Sequence, residues 1–80
     1  MYQATTTQRD WVYWLIRTDV GSHWISNYIF GETAMGRLQD VLSIGRYDET
    51  TKSMLNFLLT EFNKETNIKK QYYDFYARVK

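Results

Sequence analysis

A glycine-rich segment is the first candidate for chemistry. Residues 31–37 have the glycine spacing of a phosphate-binding loop. The deciding positions do not fit, because Arg37 replaces the lysine and Leu38 replaces the hydroxyl residue. Glu32 also places a carboxylate where a phosphate would lie. We therefore expect the first glycine to end one helix and the second to permit close packing of another.

Three neighbouring residues, Asp19, Ser22 and His23, have the composition of a catalytic triad. Triads are assembled from distant chain positions, so that the base can reach the nucleophile. We instead expect Ser22 to cap a helix and His23 to be exposed in its first turn. The chain contains one histidine and no cysteine. The sequence thus excludes a thiol nucleophile and a cysteine-based zinc site, and it predicts no metal site.

Acidic pairs occur at Asp48–Glu49 and at Glu61 and Glu65. We expect solvated helix positions for all four, with Glu61 and Glu65 repelling each other across one helical turn. Nothing in the sequence indicates the perturbed pKa that acid–base catalysis requires. The sequence predicts a protein that is not an enzyme and that uses no cofactor.

The C-terminal segment is basic and aromatic. Between Lys64 and Lys80, five basic residues against two acidic ones give a charge of +3, whereas the rest of the chain carries −2. Cations interleaved with aromatic rings suit nucleic acids, through phosphate neutralisation and base stacking. The candidate nucleic-acid-binding residues are Lys69, Lys70, Arg78 and Lys80. The same lysines would also stabilise a helix C-terminus, and a whole-chain charge of +1 is small for a nucleic-acid-binding protein.

Aromatic residues are the other unusual feature. The chain contains three Trp, seven Tyr and four Phe, which is more than so small a core can easily enclose. Helical phasing places five of them off the apolar faces: Tyr13, Phe30, Tyr47, Phe57 and Tyr73. Tyr and Trp are enriched at protein interfaces. If several of these side chains share one side of the molecule, they predict a partner-binding surface.

Length and composition set the class of protein. Eighty residues predict a single domain spanning residues 1–80, with residues 1–6 frayed. The absence of cysteine excludes a disulfide scaffold. The N-terminus lacks the pattern of a signal peptide, and the longest apolar run is far shorter than a membrane span. We therefore expect a cytoplasmic protein without membrane contact.

The first half of the chain allows two interpretations. One is a helix over residues 8–17, capped by Thr7 and Asp10, a turn over residues 18–21, and a second helix that begins after Ser22. The other is a β-hairpin from Trp11 to Phe30, because the segment is rich in aromatic and β-branched residues. Capping residues and i, i+4 spacing favour the helices.

The second half is clearly helical. A helix is predicted from Glu32 to Ile44, with Gly45 ending it. The strongest apolar face begins at Glu49, and a polar stretch over residues 63–67 leaves open whether one helix or two reach Lys80. The sequence predicts an all-α fold: a compact single-domain bundle of four or five helices.

Taken together, these features predict a small non-enzymatic protein-binding module, with Tyr13, Tyr47, Phe57 and Tyr73 as candidate partner-binding residues. It would act by occupying a surface of a larger protein. In size and composition the chain is similar to small inhibitors that phages direct against host enzymes. A homodimer through the C-terminal helix is one form such a module could take. The alternative is a small nucleic-acid-binding regulator that uses the basic C-terminal segment.

Overall fold

Helices dominate the computed structural model, which describes residues 2–28 and 31–79, with side chains up to Ala77. The five described helices are α1 (Thr6–Arg17), α2 (Asp19–Ile25), α3 (Glu32–Ser43), α4 (Glu49–Lys64) and α5 (Thr66–Val79). Two short strands, β1 (Tyr2–Gln3) and β2 (Arg46–Tyr47), pair antiparallel. The predicted all-α bundle is confirmed. In this part of the chain, each helix is too short or too polar to cross a membrane.

The start of α1 is held by a capping box that lies earlier than expected. The backbone N–H of Gln8 donates to Thr5 Oγ1 over 3.1 Å, and the N–H of Thr5 donates to Gln8 Oε1 over 2.9 Å. The predicted cap at Thr7 is wrong, because only Thr5 has a glutamine three residues later to complete both bonds. The sequence predicts that residues 1–6 are frayed. Here Ala4 N also donates to Gly45 O over 2.8 Å, next to the β1–β2 pair.

A single residue, Thr18, joins α1 to α2. Its hydroxyl donates to the carbonyl oxygen of Trp14 and accepts from the backbone N–H of Gly21 over 3.1 Å. Because Thr18 serves as the N-cap, α2 begins at Asp19, and the predicted turn over residues 18–21 and cap at Ser22 are wrong. Residues 11–17 and 19–25 are helical, so the hairpin alternative does not hold there.

Gly21 is the point of closest approach between α1 and α2. A Cβ at this position would overlap the carbonyl oxygen of Trp14 and lie 2.7 Å from Cα of Leu15. The sequence analysis assigned close packing to Gly36, which is wrong, because a Cβ there would meet nothing within 4 Å. Gly31, with φ of 88°, precedes α3 as its N-cap instead of ending the helix before it.

The remaining helix ends agree closely with the sequence. Gly45, with φ of 68°, follows the C-cap of α3, so this predicted stop is confirmed. The polar stretch after α4 contains a real break, since Glu65 has extended backbone angles and separates α4 from α5. The C-terminal half therefore contains two helices that pack against each other.

The core is built around aromatic rings. Phe62 lies at its centre and makes edge-to-face contacts with rings from three other helices. The centroid distances from Phe62 are 5.8 Å to Trp11, 6.4 Å to Trp14, 5.9 Å to Trp24 and 5.7 Å to Tyr72. Aliphatic side chains fill the space around this cluster, and Leu15, Leu38, Val41 and Leu58 are fully buried. Helices α1, α2, α4 and α5 thus meet at one phenylalanine.

The contact at Gly21 can be tested by adding one methyl group. Gly21→Ala should lower the free energy of unfolding by about 3 kcal/mol or more, because the methyl group forces α1 and α2 apart. Gly36→Ala is the matched control. At that open position in a helix, alanine should stabilise the protein by about 0.5–1 kcal/mol. Urea denaturation measures both values, and equal effects from the two variants would contradict the assigned packing.

The buried face of α4 can be tested at Leu58, which is fully buried. Leu58→Ala should lower the free energy of unfolding by about 2–5 kcal/mol, because it removes apolar contacts and leaves a cavity. Thermal or chemical denaturation measures this change in the free energy of unfolding. A loss below about 1 kcal/mol would mean that this face of α4 is not buried.

Candidate functional site

A groove of about 210 Å³ runs between the first half of α1, the second half of α4 and the middle of α5. Its walls include Trp11 from α1, Leu59 from α4 and Tyr73 from α5. Threonine, glutamine and asparagine side chains complete the lining, and none of the described lining residues is charged. We call this feature the α1–α4–α5 groove. Its mixed apolar and neutral polar lining is typical of binding sites.

Two large apolar side chains are exposed beside the groove. Leu59 is 45% exposed and Tyr73 is 58% exposed. The apolar spacing of α4 puts Leu59 on the same broad face as Leu58, but Leu59 is exposed, because the neighbouring positions Leu55 and Leu58 take the core-facing places. On α5 the buried position is Tyr72, so Tyr73 is turned away from the core. Because buried side chains already fill the core next to these positions, Leu59 and Tyr73 keep part of their apolar surface exposed at the rim of the groove.

Trp11 carries the least expected feature of the groove. Only 7% of its surface is exposed, and its Nε1–H is buried without a hydrogen-bond acceptor among the described residues. Gln8 lies one turn earlier, but its side chain is engaged with the backbone of Thr5 and with the hydroxyl of Tyr47. A buried donor without an acceptor costs about 1–3 kcal/mol. Sequence reasoning missed this feature because it treated Trp11 only as a core residue.

Trp24 shows that the fold can satisfy a buried indole. Its Nε1–H donates to Oε2 of Glu65. The hydroxyl of Tyr28 lies 3.5 Å from the same oxygen. Burial and the carboxylate of Glu65 together raise the pKa of Tyr28. The prediction that Glu65 is a solvated helix residue is wrong, because Glu65 ends α4 and turns its carboxylate toward α2 and the residues after it.

The four aromatic residues predicted to bind a partner lie in different surroundings. Tyr73 lines the α1–α4–α5 groove. Tyr47 is half-buried, and its ring stacks on Tyr2 with centroids 5.5 Å apart. Its hydroxyl accepts from Gln8 Nε2 over 3.3 Å, so Tyr47 touches a residue of the groove lining without lining it.

The other predicted aromatics lie away from the groove. Phe57 is 52% exposed and packs edge-on against Tyr28, with centroids 5.9 Å apart. Tyr13 is 51% exposed and lines a separate cleft with Phe75 and Tyr76. Phe30 lies outside the described residues. The predicted aromatic residues therefore lie at separate places on the molecule. Tyr73 lines a groove together with Trp11 and Leu59, which the sequence analysis did not name as binding residues.

The basic segment uses most of its aromatic rings internally. Tyr72 packs in the core, and the hydroxyl of Tyr76 donates to Asp10 Oδ2 over 3.1 Å, which raises the pKa of Tyr76. Lys69 is half-buried and Lys70 is exposed. The other two candidate cations, Arg78 and Lys80, have side chains outside the described region. Among the described rings of this segment, Tyr73 is the most exposed one.

The groups considered for catalysis do not come together. The hydroxyl of Ser22 donates to the backbone oxygen of Asp19 over 3.3 Å, and His23 is exposed as expected. No group of three or more metal-ligating side chains is found within residues 2–28 and 31–77. Asp19, Ser22 and His23 thus form local helix contacts.

The pKa of Asp48 falls far below its usual range. It is the N-cap of α4, and the backbone N–H of Thr51 donates to its Oδ1 over 2.9 Å. This bond and the ion pair with Arg37 lower the pKa of Asp48 to about 2. The expectation of an unperturbed carboxyl is wrong here. The shift stabilises the carboxylate, which makes Asp48 a poor proton donor or acceptor near neutral pH.

Comparison with protein-family models, with curated proteins and with solved structures finds no significant similarity to this chain. No activity or partner is therefore suggested by a relative. The surfaces described above are the basis for a functional proposal. Of these surfaces, the α1–α4–α5 groove combines exposed apolar side chains with a buried donor that has no acceptor within residues 2–28 and 31–77.

Asp48 gives the protein a specific acid response. Its pKa is lowered on folding, so the stability that it contributes is fully present above about pH 4 and is lost as the pH falls toward 2. Asp48→Asn should therefore reduce the loss of stability over this range. Urea midpoints between pH 2 and pH 7 test this. Parallel pH curves for the variant and the original protein would contradict the assigned cap.

Proposed function

We propose that this chain is a non-enzymatic protein-binding module and that its partner sits on the α1–α4–α5 groove. The observation that carries the proposal is the pair of exposed apolar side chains, Leu59 and Tyr73, beside an uncharged groove. Protein interfaces have an apolar centre and a polar rim, and tyrosine is enriched among their strongest contacts. The groove offers both parts, because threonine, glutamine and asparagine side chains surround the apolar walls.

The module acts by occupying a surface of a larger protein, as a small inhibitor does. An aromatic core holds the helix backbones of this 80-residue chain together, so binding needs to order only the side chains at the groove. We place the protein in the cytoplasm, in line with its lack of cysteine. A homodimer on the same groove is the competing form, and measurement of the molecular mass in solution distinguishes the two.

Binding of nucleic acid is the less favoured alternative. It would use Lys69, Lys70 and the cations at the end of α5. Tyr72 and Tyr76 are engaged with the core and with Asp10, so these rings are not free to stack on bases. In a helix-turn-helix arrangement, α2 would be the recognition helix that enters the DNA groove. Helix α2 carries no lysine or arginine, so it cannot make the contacts that such a helix makes with phosphates and guanine.

Tyr73→Ala tests the proposed surface. Capture of the partner from a nuclease-treated lysate is measured with increasing amounts of immobilised protein. The apparent affinity should fall about tenfold or more in this variant, because an interfacial anchor is lost. Tyr13→Ala is the matched control, since Tyr13 is also about half exposed but lines a different cleft. Its effect should be below about threefold, as for exposed residues outside an interface. If Tyr13→Ala weakens capture as much as Tyr73→Ala does, the groove is not the specific site.

The double variant Lys69→Ala with Lys70→Ala tests the alternative. Removal of two charges outside the interface core should change binding less than about fivefold and leave a mild salt dependence. A nucleic-acid-binding protein would instead lose affinity steeply with salt, and the lysine variant would reduce that slope. Loss of binding in the lysine variant, with Tyr73→Ala unaffected, would overturn the proposal in favour of the basic segment.

A further inference from the structure

We infer that the α1–α4–α5 groove takes an uncharged segment of the partner, which inserts one large apolar side chain and presents a backbone carbonyl to Nε1–H of Trp11. This inference rests on the proposed function and adds the chemistry of the partner. Three observations carry it: the unpartnered donor, the size of the groove and its lack of charge.

The unpartnered donor points to a ligand that accepts a hydrogen bond. Trp11 is more than nine-tenths buried and lines the groove, yet its Nε1–H has no acceptor in the described part of the chain. A phenylalanine could fill much of the same space without burying a donor. Trp24, by contrast, is paired with Glu65. A carbonyl oxygen that enters the groove would supply the missing acceptor and recover the lost hydrogen bond.

The volume of the groove fits one side chain. Pockets for drug-sized ligands usually measure roughly 300–1,000 Å³, whereas this groove measures about 210 Å³. A single leucine, methionine or phenylalanine side chain is the natural occupant, and insertion of such a side chain into a pocket is typical of strong interface contacts. The groove lies between three helices, so a side chain that enters it contacts α1, α4 and α5 together.

The lining favours an uncharged occupant. A charged group that enters the groove would lose its hydration without gaining an opposite charge from the lining. The amides of Asn56 and Asn63, which also line the groove, can both donate to and accept from a peptide backbone. A neutral peptide segment therefore matches both the apolar and the polar parts of the groove.

Access to the indole requires a small rearrangement, because Nε1 is itself covered. Leu59 and Tyr73 are about half exposed, so their side chains have room to rotate. In the proposed complex, an apolar side chain enters the groove that Trp11, Leu59 and Tyr73 line, and the carbonyl of the same residue accepts from Nε1–H of Trp11.

The probe for this inference is N-acetyl-L-leucinamide, which carries the apolar side chain and two amide carbonyls without a charge or an aromatic ring. Titrated into the full-length ¹⁵N- and methyl-labelled protein, it should saturate with a Kd on the order of 1 mM, as expected for so small a ligand. The methyl signals of Leu59 should shift. The indole Nε1–H signal of Trp11 should move downfield as it gains an acceptor, while that of Trp24 stays in place. N-acetylglycinamide, which lacks the side chain, should produce no saturable change.

Two variants complete the test. Trp11→Phe removes the donor and should raise the Kd of the probe about fivefold, as measured from the Leu59 methyl signals. Leu59→Asn changes an exposed wall position and should abolish binding while the Trp24 signal reports an intact fold. If the probe does not bind, or shifts Trp24 as much as Trp11, the inference is wrong. Weakened partner capture by Tyr73→Ala would then still support the proposed function, so the two failures can be told apart.

Discussion

The ring of Phe62 is the contact on which the rest of the structure depends. Two tryptophans of α1, one tryptophan of α2 and one tyrosine of α5 all meet this ring edge-on. Such contacts have defined geometry and bury large areas, which an 80-residue chain without disulfides needs for its stability. The positions of α1, α2 and α5 are thus set relative to one side chain of α4.

The same arrangement produces the groove. Phe62 and Tyr72 fill the space between α4 and α5, so the next positions outward, Leu59 and Tyr73, remain partly in water. Trp11 packs against Phe62, and its nitrogen is left without an acceptor in the part of the chain that the structure describes. Closure of α2 onto α1 at Gly21 and the Glu65 bond to Trp24 hold the opposite side of the cluster. The binding surface is therefore a consequence of how the aromatic core packs.

Much of this fold could be predicted from the sequence, because long apolar stripes mark α3 and α4 directly and Gly45 marks the end of α3. The short first half was harder. Thr5 and Thr7 are both plausible caps for α1, and only the backbone N–H groups of Gln8 and Gly21 show that Thr5 caps α1 and Thr18 caps α2. Helical phase alone could identify Tyr73 as a surface residue. It could not show that Tyr73 lines the same groove as Trp11, since this arrangement depends on how α5 folds back after Glu65.

The central claim is that aromatic packing leaves the indole donor of Trp11 without an acceptor among the described residues at the groove, and the three indole N–H signals of the free protein test it most directly. Nuclear magnetic resonance resolves them, and Trp→Phe variants assign them. The Trp24 signal should lie downfield, as a hydrogen bond to Glu65 requires, whereas the Trp11 signal should lie clearly upfield of it. A Trp11 signal as far downfield as that of Trp24 would show that its donor is already paired, and the groove would lose the feature that identifies it as a binding site.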